Sequence, residues 1–277
     1  MTVGNNVLLE NYRTRVTELE ALRGALGLLG WDQQTMMPKQ GASPRGQQQA
    51  ALASILHERL TDPAFGDLIS ALSDEPPNDP ELRSGLKATK KQRDQAVKLP
   101  ASLVRKKALA QAAGDAAWNQ AKADGAVDAF KPALARLIEL AREESAHLGE
   151  SGVHPYEPLL DRYEPGMKVE TLKDTFSSLE QALRPLIEAV GELPTRNDYD
   201  AHFDKSGQLA LHLEVANALG FDMNSGRLDE SVHPFTCGLC PQDVRITTRI
   251  DETSILAGLG GTIHELSLIH ISEPTRP

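Results

Sequence analysis

Cysteine, aromatic residues and long apolar runs are all scarce in this chain, and each scarcity removes a class of protein. Two cysteines in 277 residues exclude a disulfide-stapled miniprotein. An aromatic share of 4% beside abundant Ala and Leu is too thin for a β-sandwich, whose strands draw on Val, Tyr and Phe. No stretch approaches the roughly 18 apolar residues that cross a bilayer. The opening Met1-Thr2-Val3-Gly4-Asn5-Asn6 lacks the charged and apolar regions of a signal peptide, so a cytoplasmic location and no membrane partner are expected. Positive charge is short as well: 29 Lys and Arg against 39 Asp and Glu give −10, which argues against nucleic acid as a partner. What remains, with 40% hydrophobic and 25% charged residues, is a globular chain large enough for one or two cores.

Helical periodicity dominates. Leu8, Tyr12, Val16, Leu19, Leu22, Leu26 and Leu29 recur at steps of three and four, one apolar stripe on a first helix expected to end near Gly30. Ser43, Asp62 and Asp79 each precede a proline, the pattern of a capping side chain ahead of a first helical turn. The Ala-rich stretch from about Ser102 to Leu148 reads as two helices broken near Gly125 or Pro132, and Ser151 to Pro165 as a loop with a short helix. Leu172 to about Val190 and Gly207 to Leu219 are helical again, and Asp74 to Pro80 is the most loop-like segment. Near Ser231 the pattern changes. Val244, Ile246 and Ile250 alternate with Arg245, Thr247 and Arg249, a period of two that predicts a strand with a polar face. A helix from about Thr253 follows.

Chemistry concentrates where that strand passes into that helix, at Thr262-Ile263-His264-Glu265. A zinc hydrolase uses two histidines four apart on a helix, about 40° apart in projection, with a glutamate beside the first to activate water. Only the first half is present: Leu268 holds the position of the second histidine, and His270 lies about 240° round the helix. Blander readings stand beside this one. His57-Glu58 is a second such pair on an ordinary amphipathic helix, and Thr262-x-x-Glu265 has the form of a capping box. His233 before Pro234 reads as a loop histidine, and Asp243 with Arg245 as a strand charge pair. Cys237-Gly238-Leu239-Cys240 lacks the second pair of a zinc knuckle and reads as two reduced loop or core cysteines. The Gly258-Leu259-Gly260-Gly261 run has no following Lys-Ser/Thr and is a poor phosphate cradle.

In order along the chain, several segments resemble one family: Leu29-Gly30-Trp31-Asp32 with Arg45; Tyr156-Glu157-Pro158-Leu159-Leu160-Asp161 with Tyr163-Glu164-Pro165-Gly166-Met167; Gly226-Arg227-Leu228-Asp229 with Ser231 and His233-Pro234-Phe235; Asp243-Val244-Arg245-Ile246-Thr247; and Gly261-Thr262-Ile263-His264-Glu265. Together they are similar to the carboxypeptidase Taq family of HExxH metallocarboxypeptidases. The resemblance runs from about residue 8 to 265, roughly the first half of a member's chain. It implies a mainly α fold, a helical array around a groove with a small β-sheet next to the metal-site helix. It also implies a zinc enzyme (cobalt possible) that removes residues from peptide C-termini and forms homodimers. By that resemblance His264 is the first metal ligand and Glu265 the general base. His233, Asp243 and Arg245 line or support the site.

The departures are specific. The family continues Glu-x-Gly-His after the first histidine, whereas this chain reads Glu265-Leu266-Ser267-Leu268, so the second and third ligands are absent. The string Leu266 to Pro277 resembles a translated adapter read-through. The expectation is residues 1–265 as the N-terminal part of one helical domain and 266–277 as a non-native tail, in a truncated and inactive chain. A non-catalytic helical scaffold or interaction module is the alternative.

Overall fold

The computed structural model describes residues 3–193 and 201–272. Ten helices and a three-stranded sheet are found among them, the mainly α fold that the sequence implies. The first helix, α1 (Val3–Thr35), packs against α2 (Ala42–Thr61) and α3 (Pro63–Asp74), which in turn carry α4 (Pro80–Ala96). Tyr12 and Leu19 of the expected stripe are buried with Phe65, Ile69, Leu72 and Leu86. The Tyr12 and Phe65 rings stack at 6.4 Å, and the Tyr12 hydroxyl sits 2.9 Å from Thr89 Oγ1.

The α1 boundary moves. Gly30 does not end the helix, because one mid-helix glycine costs only about 1 kcal/mol and the next residue, Trp31, is buried at 5% exposure. Arg45 then ties down the final turn, reaching Leu29 O at 2.6 Å and Asp32 Oδ2 at 2.5 Å. Asp62 and Asp79 cap α3 and α4 as expected, accepting from Ala64 N at 3.0 Å and Glu81 N at 2.9 Å. Ser43 does not cap: a 3₁₀ turn at Lys39–Gly41 runs straight into α2, so Ser43 already lies inside the helix.

Helices α5 (Ala101–Asp124) and α6 (Val127–Leu148) part at Gly125, whose φ of 65° is the left-handed cap that glycine accepts without strain. Pro132 sits inside α6. On α6, Glu144 is almost fully buried yet meets two cations, Lys107 of α5 and Arg162. The segment that follows holds the short α7 (Glu157–Leu160) and a turn at Gly166, φ 83°. Asp161 organises that turn. It accepts from Gly166 N at 2.9 Å and pairs with Lys91 at 2.7 Å, and the Lys91 contact leads in holding its carboxyl below the usual range. Glu157 is lowered likewise, first by the Val169 amide that opens α8 (Val169–Gly191).

Helix α9 (Lys205–Ala218) leads into β1 (Gly226–Glu230), β2 (Thr236–Cys240) and β3 (Asp243–Thr248), ordered β1-β3-β2 with β1 parallel and β2 antiparallel to β3. The sheet therefore starts earlier than the alternation near Ser231 indicated. Cys237 and Cys240 lie on β2 rather than in a loop, both free. Gly24 and Gly27 let α1 approach that strand: a Cβ on Gly27 would stand 2.8 Å from Leu239 Cδ2. Helix α10 (Ile255–Ser272) closes the sheet's other side, where Leu266 joins Ala216, Phe221 and Ile246 in a second small core. Residues 273–277 of the expected non-native tail lie outside the described residues.

Candidate functional site

Position on α10 is set by a buried polar knot. His212 of α9, Thr248 of β3 and Thr262 of α10 are all fully buried. The Thr262 hydroxyl lies 3.0 Å from Thr248 Oγ1 and 3.2 Å from His212 Nδ1. Burial pushes the His212 imidazole below its ordinary range, so it serves here as a neutral hydrogen-bond partner. Thr262 is thus well inside α10 and buried, and the capping-box reading fails because the helix begins at Ile255, a full turn and more before it. Gly258 is required by the same knot: a Cβ there would stand 2.7 Å from Arg249 O and 2.9 Å from His212 Cε1. Gly258→Ala is expected to lower stability by about 1–3 kcal/mol, as overpacking does; an unchanged urea midpoint would contradict this packing.

With α10 fixed, His264 and Glu265 stand on one wall of a cleft of about 510 Å³. The facing wall is His233-Pro234-Phe235 and Thr236, with Leu268 and Ile269 one turn further along α10. Glu265 is 5% exposed, and Thr236 Oγ1 lies 2.7 Å from its Oε2 and 2.9 Å from its backbone oxygen. His264 is exposed. The loop carrying His233 is held to β3 by Thr247, whose Oγ1 accepts from Phe235 N at 2.8 Å and whose amide donates to Phe235 O at 2.9 Å. The alternation on β3 therefore does not present a polar face to solvent at this position: Thr247 and Thr248 are fully buried because their hydroxyls are spent on neighbouring loops and helices.

Asp243 and Arg245 go elsewhere. Arg245 forks onto Asp243 with two 2.9 Å bonds, and its guanidinium stacks 4.3 Å from the centre of the Trp31 ring on α1. That pair holds the Asp243 carboxyl below its usual range and raises the arginine. On β1, directly in register, Arg227 forks onto Asp229 at 2.6 Å and lies 4.8 Å from the same ring. Two arginines thus share one buried tryptophan and fasten the sheet to α1. Neither Asp243 nor Arg245 lines the cleft, whereas Val244 between them does. The structure brings together His233, His264 and Glu265 and separates Asp243 and Arg245 from them. Sequence reasoning missed Thr236, His212 and the tryptophan seat, which depend on contacts between residues far apart in the chain.

Residues 11–267 match the family described as Carboxypeptidase Taq (M32) metallopeptidase. The chain belongs to this family. It is 34% identical over 266 residues to thermostable carboxypeptidase 1 of Thermus thermophilus, covering 91% of this chain and 52% of that protein. Against carboxypeptidase 1 of Bacillus subtilis the identity is 32%, covering 87% and 49%. Among solved structures, BsuCP superposes with a TM-score of 0.89 at 30% identity over 94% of this chain and 53% of that one. An M32 carboxypeptidase from Deinococcus radiodurans R1 gives 0.80 at 30%, over 94% and 52%. The chain spans about half the length of the curated relatives it matches.

A metallopeptidase family implies a metal, and the donors in the cleft do not fit one. Among the described residues no group of three or more His, Cys, Asp and Glu could hold an ion. The nearest position on the cleft wall for a second α10 ligand is the aliphatic Leu268, and the Glu265 carboxylate is already bonded to Thr236.

Proposed function

We propose that this M32 domain is part of a zinc metallocarboxypeptidase, with cobalt as an alternative metal, that releases C-terminal residues from peptides. The observation that carries the reading is His264 and Glu265 side by side on the cleft wall, within the region that matches the family. His264 is assigned as a metal ligand and Glu265 as the general base of the complete site, and His233 across the cleft as a residue that lines it. Asp243 and Arg245 are assigned a supporting role through Trp31 and α1, consistent with their distance from the cleft lining. A homodimer belongs to the same proposal.

For the 277 residues as they stand, one α10 imidazole does not hold catalytic zinc, because such sites need about three protein ligands. The chain is therefore expected to release no amino acid from peptide C-termini with added zinc or cobalt. Zinc-dependent release above a Glu265→Gln control overturns that expectation. Leu268 in the cleft favours a second reading for this sequence alone, a non-catalytic helical scaffold. The proposal includes the view that residues from Leu266 onward are foreign to the native domain. Sequencing the source DNA through this codon separates the two: a frame continuing Gly-His at positions 267 and 268 supports the enzyme, and a confirmed Leu268 supports the scaffold. Among the described residues no helix is long and apolar enough to cross a membrane.

A further inference from the structure

The buried knot that seats α10 contains three side-chain hydrogens and a fixed set of acceptors. Each threonine hydroxyl donates one hydrogen, and a neutral imidazole carries one, on either Nδ1 or Nε2. His212 Nδ1 lies 3.2 Å from Thr262 Oγ1 and 3.4 Å from Thr248 Oγ1, the two hydroxyls are 3.0 Å apart, and Thr248 Oγ1 reaches Gly258 O at 3.2 Å. With the proton on Nδ1, donation runs from His212 to Thr262, from Thr262 to Thr248 and from Thr248 to Gly258 O, so every hydrogen has an acceptor. With the proton on Nε2, Thr262 must donate to Nδ1 and the bond between the two hydroxyls competes with the one to Gly258 O. The ring N–H is then stranded, because Nε2 is buried without a partner among the described residues. One more hydrogen bond and no stranded donor favour the first arrangement.

The walls of the knot suit the neutral ring alone. From β3 the imidazole meets Thr248, and from α10 it meets Thr262 and Gly258, none of them titratable. One turn back on α9, the Gln208 amide donates to Phe203 O and Asp251 O, each at 2.9 Å. Charged residues close by in sequence are engaged elsewhere or lie at the surface: Arg249 and Glu214 are exposed, and the Asp251 carboxylate accepts from Thr253. On α10, Glu265 is bonded to Thr236 on the cleft side. Burial is what lowers the imidazole. A second proton has only Nε2 to occupy, 3.4 Å from where a Gly258 Cβ would stand, and it adds a charge and an unpaired donor to a fully buried place.

We infer that His212 is a positioning residue for the site helix: its Nδ1–H tautomer seats the turn of α10 just ahead of His264 and Glu265, and acid unseats that turn by protonating the ring. The inference rests on the proposed function only in naming α10 the helix that carries the site. Linkage fixes the sign. An unfolded imidazole takes up its proton near its ordinary value of about 6.5, and the buried one only at lower pH. The seat is therefore intact above about pH 6.5 and weakens as pH falls below it, its opening equilibrium rising by up to about tenfold per pH unit. His57 on α2 is lowered by burial too, so the first core has a pH dependence of its own.

The experiment uses the full 277-residue chain without metal. Amide exchange, corrected for its intrinsic pH dependence, is followed from pH 7.5 to 5.5 in α10 between Gly258 and Leu266 and in α3. The parent is compared with His212→Asn, whose side-chain amide can donate to Thr262 but takes up no proton. Protection of α10 should fall about three- to tenfold further in the parent than in the variant, while α3 changes alike in both. Nitrogen–proton correlation spectra of the parent's His212 ring at pH 7.5 should show Nδ1–H. Three results overturn the inference: an Nε2–H ring, equal losses of α10 protection in parent and variant, or α10 and α3 losing protection in step in the parent. Should His212→Asn fail to fold, the tautomer and the parent's loss in α10 relative to α3 decide. A completed site without peptidase activity would overturn the proposed function and leave these results standing.

Discussion

Leu268→His is expected to raise the chain's affinity for zinc. Positions 264 and 268 are four apart on one helix and both border the same cleft, so the substitution places two imidazoles on one face, about 40° apart. Binding to the folded state alone stabilises it by mass action: zinc at about 100 times the variant's dissociation constant adds about 2.7 kcal/mol. For a chain of this size that is a rise in melting temperature of roughly 5–10 °C. The parent chain, Leu268→Ala and the double variant His264→Ala/Leu268→His should show no such rise. A zinc-induced shift of equal size in the parent would mean that other residues already hold the metal, and the assignment of His264 would fall. The position is half-buried rather than sealed, so the added imidazole can pass a proton to water and offer zinc the neutral nitrogen that binding requires.

The second large effect concerns the fold. Glu144 has a side chain only 3% exposed, while its partners Lys107 and Arg162 keep 31% and 39%. The asymmetry decides which side of the pair is costly to remove. Taking away the carboxylate leaves two cations that still reach solvent, so Glu144→Gln should cost about 1–2 kcal/mol in lost charge-assisted bonds. Taking away both cations strands a buried anion, so Lys107→Met/Arg162→Met should cost about 3–5 kcal/mol. Urea unfolding at pH 7.5 measures both, and equal losses would show that the buried carboxylate is not what the network protects.

Local pattern was enough for most of the helices. The Asp62 and Asp79 caps, the break at Gly125 and the short helix after Ser151 each depend on residues within a few positions of one another. Such signals are written directly into a sequence, because a cap or a left-handed turn needs no distant partner. The family was legible for a related reason: ordered motifs such as His233-Pro234-Phe235 and Asp243-x-Arg245 persist as strings even when their contacts are unknown.

Contacts across the chain were beyond that reach. Gly30 reads as a helix stop until Trp31 is seen seated against Arg227 and Arg245, some two hundred residues away. Thr262 reads as a cap until His212 and Thr248 draw it into the interior. Cys237 and Cys240 read as loop or core cysteines, and only the room that Gly24 and Gly27 clear for β2 against α1 places them on a strand. Arg245 and Thr247 share a strand face by period, yet one ends on a tryptophan and the other under a loop, because strand alternation sets the side on which a residue lies and not what waits there. Which residues occur at which spacing was settled by sequence alone, including the leucine at 268. Which of them meet was decided by packing, since burial of a polar group is tolerated only where the folded chain brings it a partner.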